Sequence, residues 1–223
     1  MRSSKRPVTR LKAAWKEFEH FPVEVRDDMF TALTLAAVGG KAEKAKPFTG
    51  AGSGVFEIAS RRAGNAYRAV YTVEFAVEVI VVDAFQKKSK AGICHPKGRR
   101  GADHWPIEKT QRGKTMNDDD MELIRGSGNV WRDFGDPDAD VKQAKALLAA
   151  KIISLMEDRK LTAREAAKLT GVSHSDLSRI RNGKLRPFSL DRLITILGKF
   201  DQEVTVNFDV RSRHAVAAPA LGV

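Results

Sequence analysis

An α+β unit followed by an all-α unit is the fold predicted by this 223-residue sequence: two helices and an antiparallel sheet, then a helix-turn-helix domain ending in a strand. Three observations predict it. In the first half the hydrophobic pattern changes from helical to alternating near Val55. In the second half the cap signals Thr162-x-x-Glu165 and Ser173-x-x-Asp176 open two consecutive short helices at helix-turn-helix spacing. The charge also divides: residues 1–115 hold 22 Lys and Arg against 12 Asp and Glu. Met116–Asp140 holds 2 against 8, and Val141–Val223 holds 15 against 8. Positive blocks are footprints of polyanion binding, and an acidic block between them can mimic that polyanion internally.

Each half exceeds the length at which a hydrophobic core stands alone, so two domains are expected. Apolar runs such as Val77–Val82 are too short to span a bilayer, and neither a hydrophobic stretch nor a small-residue cleavage site follows the basic Met1–Arg10. No membrane association is expected. Cys94 is the single cysteine, which suits a reducing, cytoplasmic compartment. A pI of 9.9 favours nucleic acid as the partner.

Leu11–Phe21 reads as an amphipathic helix through Leu11, Ala14, Trp15 and Phe18, interrupted at Pro22. Val23–Val38 reads as a second, with Val25, Met29, Leu33 and Ala36 or Ala37 on one face and Gly39-Gly40 ending it. Val55–Ala59, Ala66–Val73 and Phe75–Asp83 read as an antiparallel meander turning at Gly64-Asn65 and near Glu74. Arg61, Arg62, Arg68 and Tyr71 sit on or beside these strands, and Gln86, Lys87, Lys88 and Lys90 follow the last. His20, His95 and His104 lack metal-ligand spacing, Cys94-His95 lacks further ligands, and Gly50–Gly54 lacks the Lys-Ser/Thr of a phosphate loop, so no metal or cofactor is expected. A metal-free set of Arg, Lys and Tyr fits cleavage of RNA by its own 2′-hydroxyl, with cations stabilising charge on the phosphorane; solvated strand ends are the plainer reading.

FEIASRRAGNAYRAVY (Phe56–Tyr71), VIVVDAFQKKSKAGI (Val79–Ile93) and AKPFTGAGSGVFEI (Ala45–Ile58) resemble the phage-derived branch of the RelE/HigB toxins, over about residues 5–97. The resemblance implies a small α+β fold and ribosome-dependent cleavage of mRNA. Carried over by motif, Arg61, Arg68, Lys87 and Lys88 bind phosphate and stabilise charge, and Tyr71 supports or stacks. Where the family continues into a final helix, this chain has HPKGRRGADHWPIEKTQ (His95–Gln111). A frameshift joining two overlapping genes accounts for that, as does an ordinary basic linker.

In the second half, Val141–Arg159 is a long amphipathic helix, and Gly171 makes the turn inside the helix pair. Asn182-Gly183 ends the second member, and Ser189–Phe200 closes a four-helix domain. The polar, basic SHSDLSRIRNGK suits a major-groove reader. Leu161–Leu197 is similar to the Cro/repressor-like helix-turn-helix family, in particular HigA-type antitoxins. By that pattern His174, Ser175, Ser178 and Arg179 face bases, Ser173, Asn182 and Lys184 meet phosphates, and Arg181 does either. Glu203–Val210 alternates like a strand, either pairing with the same strand of another chain in a dimer on operator DNA or capping its own domain.

The expected divisions are 1–97 toxin-like, 98–140 junction and acidic linker, 141–210 helix-turn-helix, and 211–223 disordered tail. In the linker, Trp131 and Phe134 anchor on an apolar patch while Asp133, Asp136 and Asp138 compensate the toxin's basic site; a flexible acidic tether is the competing reading. Together the resemblances imply a fused pair: an mRNA endoribonuclease, inhibited in the intact chain, and a DNA-binding antitoxin that represses its own operon. The alternative is a DNA-binding regulator whose first domain is catalytically degenerate.

Overall fold

The computed structural model describes residues 6–48, 53–74, 78–87 and 121–207. The fold is α+β, a sheet with helices on one side followed by a helical region. Strand β1 (Val8–Leu11) leads into α1 (Lys12–Glu19) and α2 (Val23–Ala37). Then come β2 (Ala45–Pro47), β3 (Val55–Arg62), β4 (Asn65–Glu74) and β5 (Glu78–Lys87). The second half contributes β6 (Leu123–Arg125), α3 (Val130–Asp133), α4 (Ala139–Asp158), α5 (Ala163–Thr170), α6 (His174–Arg181) and α7 (Leu190–Lys199).

The sheet order is β2-β3-β4-β5-β1-β6. The central meander is antiparallel, β1 runs parallel to β5, and β6 is antiparallel to β1. The expected meander is present, with β3, β4 and the end of β5 running further than expected; Phe75–Val77, the expected start of the third strand, lie outside the described residues. Three short strands depart from the expectations. Leu11, assigned to the first helix, closes β1 instead, and β2 flanks the meander at one edge. The third, β6, lies inside the expected linker and extends the first half's own sheet. The segment therefore docks rather than tethers over residues 121–138.

Helix α2 is buried over the unbroken run Met29–Ala37, not on one stripe. A helix apolar on all sides needs neighbours on all sides. The sheet supplies one, with Ser60 of β3 donating to the Asp28 carboxylate of α2 at 3.4 Å. The second half supplies the other through α3 and α4. Trp131 is 1% exposed, meets Phe30 edge-on at 6.0 Å, and donates its indole N–H to Asp27 at 3.1 Å. Phe134 meets Trp15 at 5.2 Å and Phe30 at 5.4 Å, and the Arg26 guanidinium lies over its ring. The two halves share one hydrophobic core.

Gly126 sets how closely β6 approaches. A methyl group there would overlap the Val8 carbonyl oxygen and the Asp133 carboxylate. That carboxylate accepts from the Ser127 N–H at 3.0 Å and lies 3.7 Å from Arg10.

In the helical region Thr162 and Glu165 form a reciprocal capping box, and Gly171 ends α5 in the left-handed conformation at φ 67°. Ser173 caps α6 by accepting from the Asp176 N–H at 3.1 Å. Residues 203–207, the described part of the expected terminal strand, carry no strand. A strand holds only when its backbone groups find a neighbour to pair with.

Candidate nucleic-acid interfaces

Register defines the first surface. Arg61 pairs across β3 and β4 with Ala66, which pairs across β5 with Lys87. Directly opposed residues share a face, and faces alternate along a strand. Arg61, Arg68 and Lys87 therefore stand together with Glu57 and Phe85 on the face turned away from the helices. Arg61 is exposed, and neither it nor Lys87 has an acidic partner among the described residues. Arg68 is held by Glu57 beside it, with its Nε buried and unpartnered. Three cations spread over three hydrogen-bonded strands suit a phosphodiester backbone, whose charges are spread rather than single.

Tyr71 is turned the other way. It pairs with Phe56 on the helix-covered side, stacks on that ring at 5.5 Å and is 1% exposed. Burial pushes its phenol up to about 12, so it stays protonated near neutrality. A nucleobase cannot stack on a buried ring, and the residue's place is in packing. Alternation from Arg68 would put position 71 on the helix face, which was legible in principle. Lys88 and Lys90 lie outside the described residues, as do His95–Gln111.

Trp131 and Phe134 pack against Phe30 and Trp15, and among the described residues the acids beside them make no ion pair with Arg61, Arg68 or Lys87. Asp133 faces Arg10, Asp136 binds Lys142 at 2.6 Å, and Asp138 is exposed just ahead of α4. Lys142 also reaches Asp27 at 3.0 Å. Burial works against its ammonium, and the bonds to Asp136 and Asp27 outweigh that, leaving its pKa raised.

The second surface is α6. At its N-terminal end Ser173, His174 and Ser175 are exposed, and further along the helix Ser178 is half-buried and Arg179, in the last turn, is exposed. The helix is held from behind by Asp176, which takes Arg192 of α7 at 2.6 Å and Arg179 at 3.1 Å. The Arg192 bond leads in holding this carboxyl below its ordinary value. Asp176 reads in sequence as part of a cap, and its tie to α7 had no sequence signal.

The C-terminal end of α6 is engaged by the first half. The Glu43 N–H donates to the Arg181 carbonyl at 3.3 Å, while its carboxylate accepts from Asn182 at 3.3 Å and lies 3.8 Å from Arg181. Gly183 is buried against Thr31 of α2. Arg186 pairs at 2.9 Å with Glu24, which also takes Arg62 at 3.1 Å. Lys184 remains exposed.

A family model described as a helix-turn-helix domain matches residues 130–209, and one described as a phage-derived Gp49-like protein matches residues 16–98. No curated protein and no solved structure matches this chain. The chain thus carries a segment similar to phage-derived Gp49-like proteins followed by one similar to helix-turn-helix domains. Among the described residues no helix is long and apolar enough to cross a membrane.

Proposed function

We propose that this chain is a fused toxin and antitoxin of the HigB and HigA kind: an mRNA endoribonuclease acting on the ribosome, joined to a repressor of its own operon. The alignment of Arg61, Arg68 and Lys87 on one sheet face carries the reading. RNA laid across that face is cut by its own 2′-hydroxyl. The guanidinium and ammonium groups hold the phosphate and stabilise the charge that develops on it, a contribution worth about 10²-fold or more in rate for such fixed donors. The cytoplasm is the compartment where both polyanions occur. Two chains pair through their second halves, so that two copies of α6 meet a two-fold operator. Inhibition in the intact chain comes from the bulk of the second half at the ribosome, since its described acidic residues pair elsewhere.

Expression of residues 1–138, which keep β6 at the sheet edge and the aromatic contacts of α3 with α2, tests this. Growth arrest is expected from that fragment, but not from the full chain or from the fragment carrying Arg61→Ala and Lys87→Ala. The burial of Tyr71 and the hold of Glu57 on Arg68 favour a second reading, a DNA-binding regulator with a degenerate first domain. Harmlessness of all three, with the fragment soluble and melting cooperatively, supports it.

A further inference from the structure

Helix α6 has one free end and one occupied end. Eight residues span about 12 Å, close to the width of the DNA major groove. A body in contact with Gly183, just past the helix terminus, therefore stands where the groove's phosphate wall would rise. The groups it offers there are carboxylates. Glu43 faces Arg181 and Asn182, and Glu24 faces Arg186, all on the DNA-reading helix or the loop behind it.

We infer that Glu24 and Glu43 occupy the places of DNA phosphates along this end of α6, so that the closed chain binds DNA weakly and this end must undock before full contact. The inference rests on the DNA-binding reading of the helix-turn-helix domain and adds the element that restrains it. The contact is built to open. Glu43 keeps 53% of its side chain exposed, and a cleft of about 200 Å³ runs between the Lys41–Ala45 loop, Glu157 and Arg181. Across the same joint Lys44 is buried beside Asp28, with Lys184 near enough to act as a like charge. Burial leads in depressing the Lys44 pKa, and Lys184 adds to it. Undocking frees Arg181 and Arg186 together, beside Lys184, which is already exposed. The aromatic contacts of Trp131 and Phe134 use Arg26, Asp27 and Phe30 of α2 rather than Glu24 or Thr31, and hold the halves together meanwhile.

The test uses the full chain and the duplex immediately upstream of its own coding sequence, with a scrambled duplex as control. Binding is followed by fluorescence anisotropy through a salt series. Glu24→Gln with Glu43→Gln keeps side-chain size and removes both mimicking charges. The double variant is expected to bind about tenfold tighter, with the slope of log Kd against log salt steeper by about 2, because two further cations reach phosphates. Adding Arg186→Gln to the double variant should take back about half of that added slope. Equal or weaker binding by a double variant that melts like the parent overturns the inference, and so does tighter binding at an unchanged slope. Absence of salt-dependent binding by parent and variant alike overturns the DNA-binding reading beneath it.

Discussion

The second half meets the first at two joints, and they differ in kind. One is dry and aromatic, with Trp131 at 1% exposure, Phe134, Trp15 and Phe30 around it, and an indole N–H satisfied by Asp27. The other is charged and open to water, with Glu43 on Arg181 and Asn182, and Glu24 on Arg186. A buried tryptophan removes roughly 150–250 Å² of surface from water, whereas an exposed ion pair contributes about 0–1 kcal/mol. One chain therefore carries a dry attachment and a solvated one, and the solvated one is at α6, the helix that the proposal assigns to DNA. The predictions below attack the two joints in order of expected effect.

Trp131→Ala should cost about 3–5 kcal/mol in urea unfolding, because it opens a cavity at the centre of the shared core and leaves the Asp27 carboxylate short of a donor. Trp131→Phe restores much of the packing without the N–H and should cost about 1–2 kcal/mol. A loss below about 0.5 kcal/mol for the alanine variant would erase the distinction between the joints. The same joint can be probed through the backbone. Gly126→Ala places a methyl against the Val8 carbonyl oxygen and the Asp133 carboxylate, and should cost about 1–3 kcal/mol by forcing β6 off the edge of β1. Unchanged melting of that variant would mean that β6 contributes nothing to attachment.

What the sequence disclosed follows the same division. The meander strands β3, β4 and β5 and the helices α4 to α7 were legible because each is long enough for its period to show, and because Thr162, Gly171 and Ser173 mark their ends chemically. β1, β2 and β6 span three or four residues, too few for alternation to register, and two of them are held by partners far along the chain. Residues 121–138 accordingly read as linker, although Gly126 and the pair Trp131 and Phe134 hinted at close packing. The mostly apolar run of α2, interrupted only by Thr31 and Thr34, was the clearer missed signal, since a helix buried all round requires a second neighbour. At the candidate sites residue type was legible and direction was not. Arg61, Arg68 and Lys87 share a face as a nuclease reading needs, Tyr71 points into the core, and the carboxylates that hold α6 come from loops and helices that no local motif connects to it.

Away from both joints, Asp176 fastens α6 to α7 within the helical region. Asp176→Asn should cost about 1 kcal/mol at neutral pH, the value being held down because Arg192 and Arg179 are half exposed and screened. The folded-state pKa of this carboxyl is lowered, so its contribution is fully present above the unfolded value of about 3.9 and is lost as pH falls through the folded value. The asparagine variant should lack that part of the acid dependence. Parallel acid-unfolding curves for the two would show that the Arg192 pair does not hold the helix.

The smallest expected effect on stability belongs to Glu43→Gln, and there the two joints separate most clearly. Its carboxylate is more than half exposed, and glutamine can still accept from Asn182, so unfolding should shift by no more than about 0.5 kcal/mol. A residue that contributes so little to the fold and still changes DNA affinity acts on the partition between docked and undocked α6, whose two forms must then lie within a few kcal/mol of each other. Melting curves and DNA titrations on the same preparation decide it. Stability unchanged with affinity raised places Glu43 in the releasable joint, whereas a melting loss comparable to that of Trp131→Ala would make the charged joint as structural as the aromatic one.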